Sequence, residues 1–264
     1  MFSLQEYIKE VKKDLDTNQQ RDLNWLVQAL PKNPSEQEIL NLKSQILRLE
    51  QNEPLAYILG YTPFYNCKIE VNKNTLIPRP ETELLVDIIF KNWKNKIKKD
   101  TRFLDLCSGS GCIAIALQKA LDCPIDAVDI SPECCSTIKD NAQKNQVRIN
   151  IFQSNMFEKI SQKYDLIVSN PPYIPTFEIT KLQNSVKDYE PHSALDGGTD
   201  GLDFYKKIAE QSAQYLKQNG ELALEVGDNQ ADSVFKILHA NNWIKIEIKK
   251  DYSNLARFVF ANKK

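Results

Sequence analysis

The chain is poor in the residues that build metal and disulfide chemistry. It has two histidines in 264 residues, His192 and His239, and its six cysteines (Cys67, Cys107, Cys112, Cys123, Cys134, Cys135) form no Cys-x-x-Cys pair. Without that spacing a structural zinc site is not expected. The cysteines read instead as reduced thiols of a cytoplasmic protein. No run of about 18 apolar residues occurs, so no membrane span is expected. The opening Met1-Phe2-Ser3-Leu4-Gln5-Glu6 lacks the basic-then-apolar pattern of a secretory signal. An excess of charge of one sign is also absent: Lys+Arg 34 against Asp+Glu 35 gives a net charge of -1. That balance argues against a broad phosphate-binding surface. The one basic run, Lys91, Lys94, Lys96, Lys98 and Lys99, reads as a solvated helix end. Neither a membrane partner nor direct nucleic-acid binding is expected.

What is present is a change of periodicity along the chain. Leu4, Tyr7, Ile8, Val11 and Leu15 fall at helical spacing, with Ser3 and Glu6 placed as a capping box. A second helix carries Leu23, Leu26, Ala29 and Leu30 and ends near Pro31. Ser35 and Glu38 repeat the capping signature before Ile39, Leu42, Ile46 and Leu49. Three short helices with one apolar stripe each bury those stripes against one another. Glu53 to Pro80 is punctuated by Gly60, Pro63 and Pro78, and the alternating Cys67-Lys68-Ile69-Glu70-Val71 suits a hairpin connector. An amphipathic helix follows Pro80. Strands are then expected at 102–106, 125–130, 147–152, 164–169 and 220–226, with helices at 111–121, 132–144, 201–218 and 228–241. This alternation implies a parallel sheet with helices on both faces. Two further strands near Trp243–Ile248 and Ala256–Phe260 have too short a link for a crossover, so one of them runs antiparallel. The fold class is therefore α/β, with a seven-stranded, mostly parallel Rossmann-like sheet behind an N-terminal helical bundle.

Chemistry concentrates at two strand ends. Asn170-Pro171-Pro172-Tyr173 follows the buried strand Tyr164–Ser169. This rigid turn sits at the carboxyl end of a sheet strand, where ligands bind in open α/β folds. The Asn170 oxygen and a proline carbonyl are two fixed acceptors suited to the hydrogens of a planar NH₂ group, and Tyr173 offers a flat face. Earlier, Asp105-Leu106-Cys107-Ser108-Gly109-Ser110-Gly111 leads from strand to helix, a glycine turn whose backbone N–H groups approach a ligand closely. Asp129, twenty residues after Gly109, is placed to accept hydrogen bonds from a ribose. Glycine turn and acid alone fit NAD and S-adenosylmethionine equally, because both contain adenosine. The Asn-Pro-Pro-Tyr turn has no role in hydride transfer and suits methylation of a planar nitrogen. S-adenosyl-L-methionine is therefore the expected cofactor.

Taken together, these residues resemble the PrmC/HemK family, which methylates the side-chain N5 of a glutamine in peptide chain release factors. Further matches are Ile77-Pro78-Arg79-Pro80-Glu81-Thr82-Glu83, Ala127-Val128-Asp129-Ile130-Ser131, Tyr189-Glu190-Pro191, Asp196-Gly197-Gly198-Thr199-Asp200-Gly201-Leu202 and Lys250-Asp251-Tyr252. The resemblance implies that Cys107, Ser108, Gly109, Ser110, Gly111 and Asp129 hold the cofactor, with Met156 flanking the adenine and Asn170 reaching it. It implies that Asn170, Pro171, Pro172 and Tyr173 hold the glutamine, with Asn170, Pro171 and Tyr173 catalytic. It also implies a division into residues 1–74, which dock the release factor through the bundle and hairpin, and a methyltransferase domain at 75–264. Two positions depart from the family pattern: Cys107, where glycine is frequent but a small side chain fits, and Asn155, where Asp is usual.

Arg79 and Glu190 read as an ion pair as readily as substrate contacts, Glu225 as a pocket wall or a helix cap, and His192 as a solvated loop residue. Two rival functions use the same features. Methylation of an adenine amino group in DNA or RNA calls for a basic recognition module, but the first 75 residues hold nine basic against ten acidic side chains. A noncatalytic adenosine-binding adaptor leaves the Asn-Pro-Pro-Tyr turn without a purpose.

Overall fold

The computed structural model describes residues 4–264. Four helices come first: α1 (Leu4–Asp14), α2 (Thr17–Gln28), α3 (Glu36–Glu50) and the short α4 (Leu55–Leu59). α3 starts as expected: Ser35 N donates to Glu38 Oε2 at 2.7 Å, and Glu38 N donates to Ser35 Oγ at 3.3 Å. α2 uses the same device from Asp16 and Gln19, which the sequence reading did not single out. The box expected from Ser3 and Glu6 lies outside the described residues. Val11, Leu15, Leu23, Leu26, Leu42, Ile46, Leu49 and Ile58 close a core of their own. No helix among the described residues is long and apolar enough to cross a membrane.

The hairpin β1 (Tyr61–Phe64) and β2 (Cys67–Glu70) is antiparallel. Its two-residue turn, Tyr65-Asn66, has both φ positive, at 42° and 61°, the conformation that matches strand twist in tight hairpins. Phe64, Cys67, Ile69 and Val71 do not join the helical core; they pack into the core of the larger body. α5 (Pro80–Trp93) follows, with proline in its first turn.

Seven strands form the main sheet: β3 (Phe103–Leu106), β4 (Ile125–Asp129), β5 (Ile149–Gln153), β6 (Tyr164–Ser169), β7 (Leu216–Glu225), β8 (Ile244–Lys250) and β9 (Ala256–Asn262). The helices α6 (Cys112–Leu121), α7 (Pro132–Lys144), α8 (Asn184–Lys187), α9 (Asp203–Gln211) and α10 (Ala231–Ala240) connect them. Strand order is β5-β4-β3-β6-β7-β9-β8, with β9 antiparallel to both its neighbours and the other pairs parallel. The order reverses at β3, flanked by β4 on one side and β6 on the other. A crevice therefore opens outside the carboxyl ends of β3, β4 and β6.

The helix expected over 201–218 is shorter in the structure. It stops at Gln211, a single 3₁₀ turn spans Ser212–Tyr215, and β7 begins at Leu216. Leu216 is fully buried and pairs with Tyr164 of β6, so burial in the sheet overrides the helical spacing there. Between β6 and α9 the chain makes short helical turns at Thr176–Lys181, Asn184–Lys187 and His192–Ala194, a segment for which no element was expected.

One buried side chain joins the hairpin to the strand-β3 loop. Asn141 of α7 accepts from Glu70 N at 2.7 Å and donates to Glu70 O and to Ser110 O, both at 3.0 Å. Asn141→Ala would leave these groups, partly to fully shielded from water, without their partner, at about 1–3 kcal/mol each where buried. Chemical denaturation is expected to show a loss of roughly 3 kcal/mol or more, with an exposed control such as Asn18→Ala close to neutral.

Candidate active site

A cavity of about 340 Å³ occupies the crevice. The loop after β3 contributes Cys107, Ser108, Gly109 and Ser110, β4 ends in it at Asp129, and Asn155 and Met156 enter after β5. Asn170 and Pro172 line it from the turn after β6, and Arg79 and Thr82 from the start of α5. Eight of the expected site residues thus share one space: Cys107, Ser108, Gly109, Ser110, Asp129, Met156, Asn170 and Pro172. Gly111, Pro171 and Tyr173 are not among the residues lining it.

The β3 loop is held by its own hydrogen bonds. Ser108 Oγ accepts from Val128 N at 3.0 Å and donates to Asp105 O at 2.8 Å, fastening the end of β3 to β4. Asp129 Oδ2 accepts from Gly109 N at 2.8 Å, and its Oδ1 accepts from Ser131 N at 3.0 Å, so the carboxylate keeps one orientation. Gly109 has φ +54°, and a Cβ there would meet nothing within 4 Å, so the backbone faces open cavity. Gly111 serves a different end: a Cβ would sit 3.0 Å from Ile138 of α7, so this glycine permits close helix packing.

Two non-glycine residues of the cavity wall, Cys107 (φ 60°) and Met156 (φ 50°), are in the left-handed region. Each costs about 1–2 kcal/mol of backbone strain. At Cys107 the departure from glycine is therefore one of backbone geometry as well as size. Burial pushes its thiol well above the ordinary range, so it stays protonated.

The turn after β6 carries a directional polar network. Asn170 Nδ2 donates to Glu225 Oε1 at 2.9 Å and to Thr82 Oγ1 at 3.3 Å. Thr82 Oγ1 in turn donates to Glu225 Oε2 at 2.7 Å. Glu225 is buried at the end of β7, and burial raises its carboxyl to about 7 against the pull of these hydrogen bonds. With both donors engaged behind it, the Asn170 oxygen is the end of the amide left for the cavity.

The rest of the turn is clamped from outside. Gln230 Nε2 donates to Tyr173 O at 2.8 Å, Ile174 N to Leu195 O at 2.9 Å, and Gly197 N to Ile174 O at 2.9 Å. A Cβ on Gly197 would fall 2.7 Å from Tyr173 Cα, and one on Gly201 2.3 Å from Tyr173 O. The Gly197-Gly198-Thr199-Asp200-Gly201 run thus lets a second segment lie directly on the turn. Tyr173 is half-buried, its ring edge is against Gly227, and burial pushes its hydroxyl to about 12.

Several residues of the site escaped the sequence reading or were left open by it. Thr82 and Glu225 meet Asn170 from 88 and 55 positions away, a contact that no local spacing encodes. Arg79 lines the cavity while donating to the buried Glu190 at 2.5 Å, and Glu190 Oε2 also accepts from Ile77 N at 3.2 Å. The pair fixes the segment entering α5. Asp105 is fully buried, and burial raises it to about 7. Its Oδ2 accepts from Ala114 N at 3.1 Å, while Oδ1 has no partner among the described residues. An acid ahead of the glycine turn was its only sequence signal. Asn155 is exposed, its Nδ2 donates to Glu158 Oε1 at 2.8 Å, and its carbonyl end is the remaining acceptor. His192 is exposed.

The chain is similar to known proteins over most of its length. A family model for the methyltransferase small domain matches residues 80–184. A release factor glutamine methyltransferase of Thermodesulfovibrio yellowstonii is 40% identical over 242 residues, covering 90% of this chain and 87% of its own. Its counterpart from Lactococcus lactis is 41% identical over 214 residues, covering 80% and 77%. A methyltransferase from Pyrococcus furiosus superposes with a TM-score of 0.57 at 18% identity, over 84% of this chain and 98% of that one, a likeness of fold. The chain belongs to the release factor glutamine methyltransferase family.

Proposed function

We propose that this protein transfers a methyl group from S-adenosyl-L-methionine to the side-chain amide N5 of the glutamine in the Gly-Gly-Gln motif of class 1 peptide chain release factors. The observation that carries this reading is the pinned Asn170 amide at the cavity wall, whose two donors are engaged by Glu225 and Thr82, leaving its oxygen as the free acceptor. A substrate amide presents N–H groups and needs acceptors, and this corner supplies one.

The cavity suits the cofactor. Gly109 leaves a cradle that a Cβ would fill, Asp129 is fixed as an acceptor for ribose hydroxyls, and Met156 gives the adenine an apolar wall. Cys107, Ser108, Ser110 and Gly111 shape the turn around it. The Asn155 carbonyl provides an acceptor at the position where the family usually has Asp. When bound, S-adenosyl-L-methionine supplies a methyl group already activated by its sulfonium.

The protein's task is then the nucleophile. An amide nitrogen shares its lone pair with its carbonyl and attacks poorly, so placement and charge stabilisation carry the acceleration. Asn170 Oδ1 accepts one N–H of the glutamine, and this bond strengthens as positive charge develops on nitrogen. Pro171 and Pro172 stiffen the turn, and Tyr173 is held in it by Gln230 and packed against Gly227. The N–C bond forms as the S–C bond breaks and the neutral thioether leaves. Glu225 is occupied by Thr82 and Asn170, so no general base is assigned, and the extra proton passes from nitrogen to water after transfer.

Residues 1–74 are assigned to docking of the release factor in the cytoplasm. The helices supply the contact surface, and the hairpin anchors them to the catalytic body. Leu40 and Leu47, two turns apart on α3, are 53% and 55% exposed, and Trp25 of α2 is 53% exposed, which supports an apolar contact there.

Two measurements test the assignment. Asn170→Ala is expected to lower single-turnover methylation of purified release factor about 10²–10³-fold, with cofactor affinity by calorimetry changed far less; a wild-type rate would remove Asn170 from the reaction. Asp129→Ala is expected to weaken cofactor binding about ten- to hundredfold, also by calorimetry, and unchanged affinity would displace the nucleoside from this cavity. Mass spectrometry of the product is expected to place the added methyl on the glutamine of the Gly-Gly-Gln segment.

A further inference from the structure

We propose that Glu225 is a positioning residue for methyl transfer, holding the Asn170 carboxamide in the one orientation that presents oxygen, not nitrogen, to the substrate amide. The proposal rests on the reading of Asn170 as an acceptor for the substrate N–H. A carboxamide is nearly the same shape in its two flipped states, so packing alone selects weakly between them. An ionised carboxylate selects strongly, because it only accepts. Glu225 Oε1 at 2.9 Å from the Asn170 nitrogen would face an oxygen in the flipped state, with no hydrogen between them. Thr82 completes the direction: its single hydroxyl hydrogen goes to Glu225 Oε2, leaving its oxygen to accept from Asn170.

The orientation is therefore linked to the proton on Glu225. A protonated carboxyl gains a donor, tolerates the flipped amide, and turns an NH₂ group toward the substrate NH₂. The groups facing Glu225 are Glu81 of α5, which raises its pKa, and Arg257 of β9, which lowers it. The charge of Glu225 is also felt by Tyr173, Tyr205 of α9 and Cys112 of α6. Tyr205 Oη donates to the Glu225 backbone carbonyl at 3.1 Å, which fixes the end of β7 without touching the carboxylate. Burial moves the Glu225 pKa from 4.5 to about 7. Across that window the native state holds more protons than the unfolded chain, so this group's contribution to stability falls as pH rises. A rate limited by stability would fall with it. Positioning makes the rate rise.

The experiment is single-turnover methylation of purified release factor at saturating cofactor, from about pH 5.5 to 8.5. It compares wild type, Glu225→Gln, Asn170→Ala and the double variant. The wild-type rate is expected to climb about tenfold per pH unit below roughly 7 and then level. Glu225→Gln, with cofactor affinity retained, is expected to be slower by about tenfold or more and to lose that climb. In the Asn170→Ala background the same change is expected to alter the rate less than about twofold, the mark of a residue acting through another. Thr82→Val is expected to fall about tenfold and Thr82→Ser, which keeps the hydroxyl, to recover most of that loss, a readout that stands if the Glu225 variants do not fold. A wild-type pH climb persisting in Glu225→Gln, an undiminished effect in the Asn170→Ala background, or a Thr82→Val rate equal to wild type would overturn the proposal while leaving Asn170 in place. Full activity in Asn170→Ala would overturn both readings.

Discussion

The arrangement depends on a buried carboxylate that faces one amide. Glu225 lies at the end of β7, out of water, and its two oxygens are satisfied by Thr82 and Asn170. Burying such a group is costly unless its hydrogen bonds are good. The two made here give the amide a direction that a carboxamide lacks by shape. Three elements distant in sequence, α5, the β6 turn and β7, must be in register for the contact to exist. Much of the surrounding structure serves that register.

The two halves of the cavity are stiffened by different means. On the side of the β3 loop the backbone does the work: Asp129 fixes Gly109, Ser108 ties β3 to β4, and Cys107 and Met156 are held in left-handed conformations. Strain of this kind persists where the surrounding structure over-determines it. On the side of the β6 turn, side chains and bare glycines clamp the backbone: Gln230 holds Tyr173 O, and Gly197 and Gly201 admit a second segment against it. The Arg79–Glu190 pair steadies the chain that brings Thr82 into place.

Much of this was legible in the sequence, and the limit has a physical cause. The parallel order, the antiparallel tail and the three leading helices followed from periodicity, because each apolar stripe has only one kind of surface to bury against. The glycine turn, Asp129 and Asn170 were legible because each sits at a strand end, where the fold itself puts ligands. Thr82 and Glu225 were not legible as partners of Asn170. Their association is set by which strands are neighbours, and β6 and β7 are separated in the chain by about fifty residues of irregular turns and helix. The early start of β7 was missed for the same reason: Leu216 is strand because Tyr164 is beside it. The strain at Cys107 is likewise a backbone property that a small side chain does not advertise.

The central claim is that the Asn170 oxygen receives a substrate N–H. The most direct measurement is a structure of the protein with a release factor bearing the Gly-Gly-Gln loop and with the demethylated cofactor. The account predicts the glutamine nitrogen about 3 Å from Asn170 Oδ1, with the Asn170 nitrogen still on Glu225. A glutamine bound elsewhere in the cavity, or an Asn170 amide turned with its nitrogen toward the substrate, would contradict it.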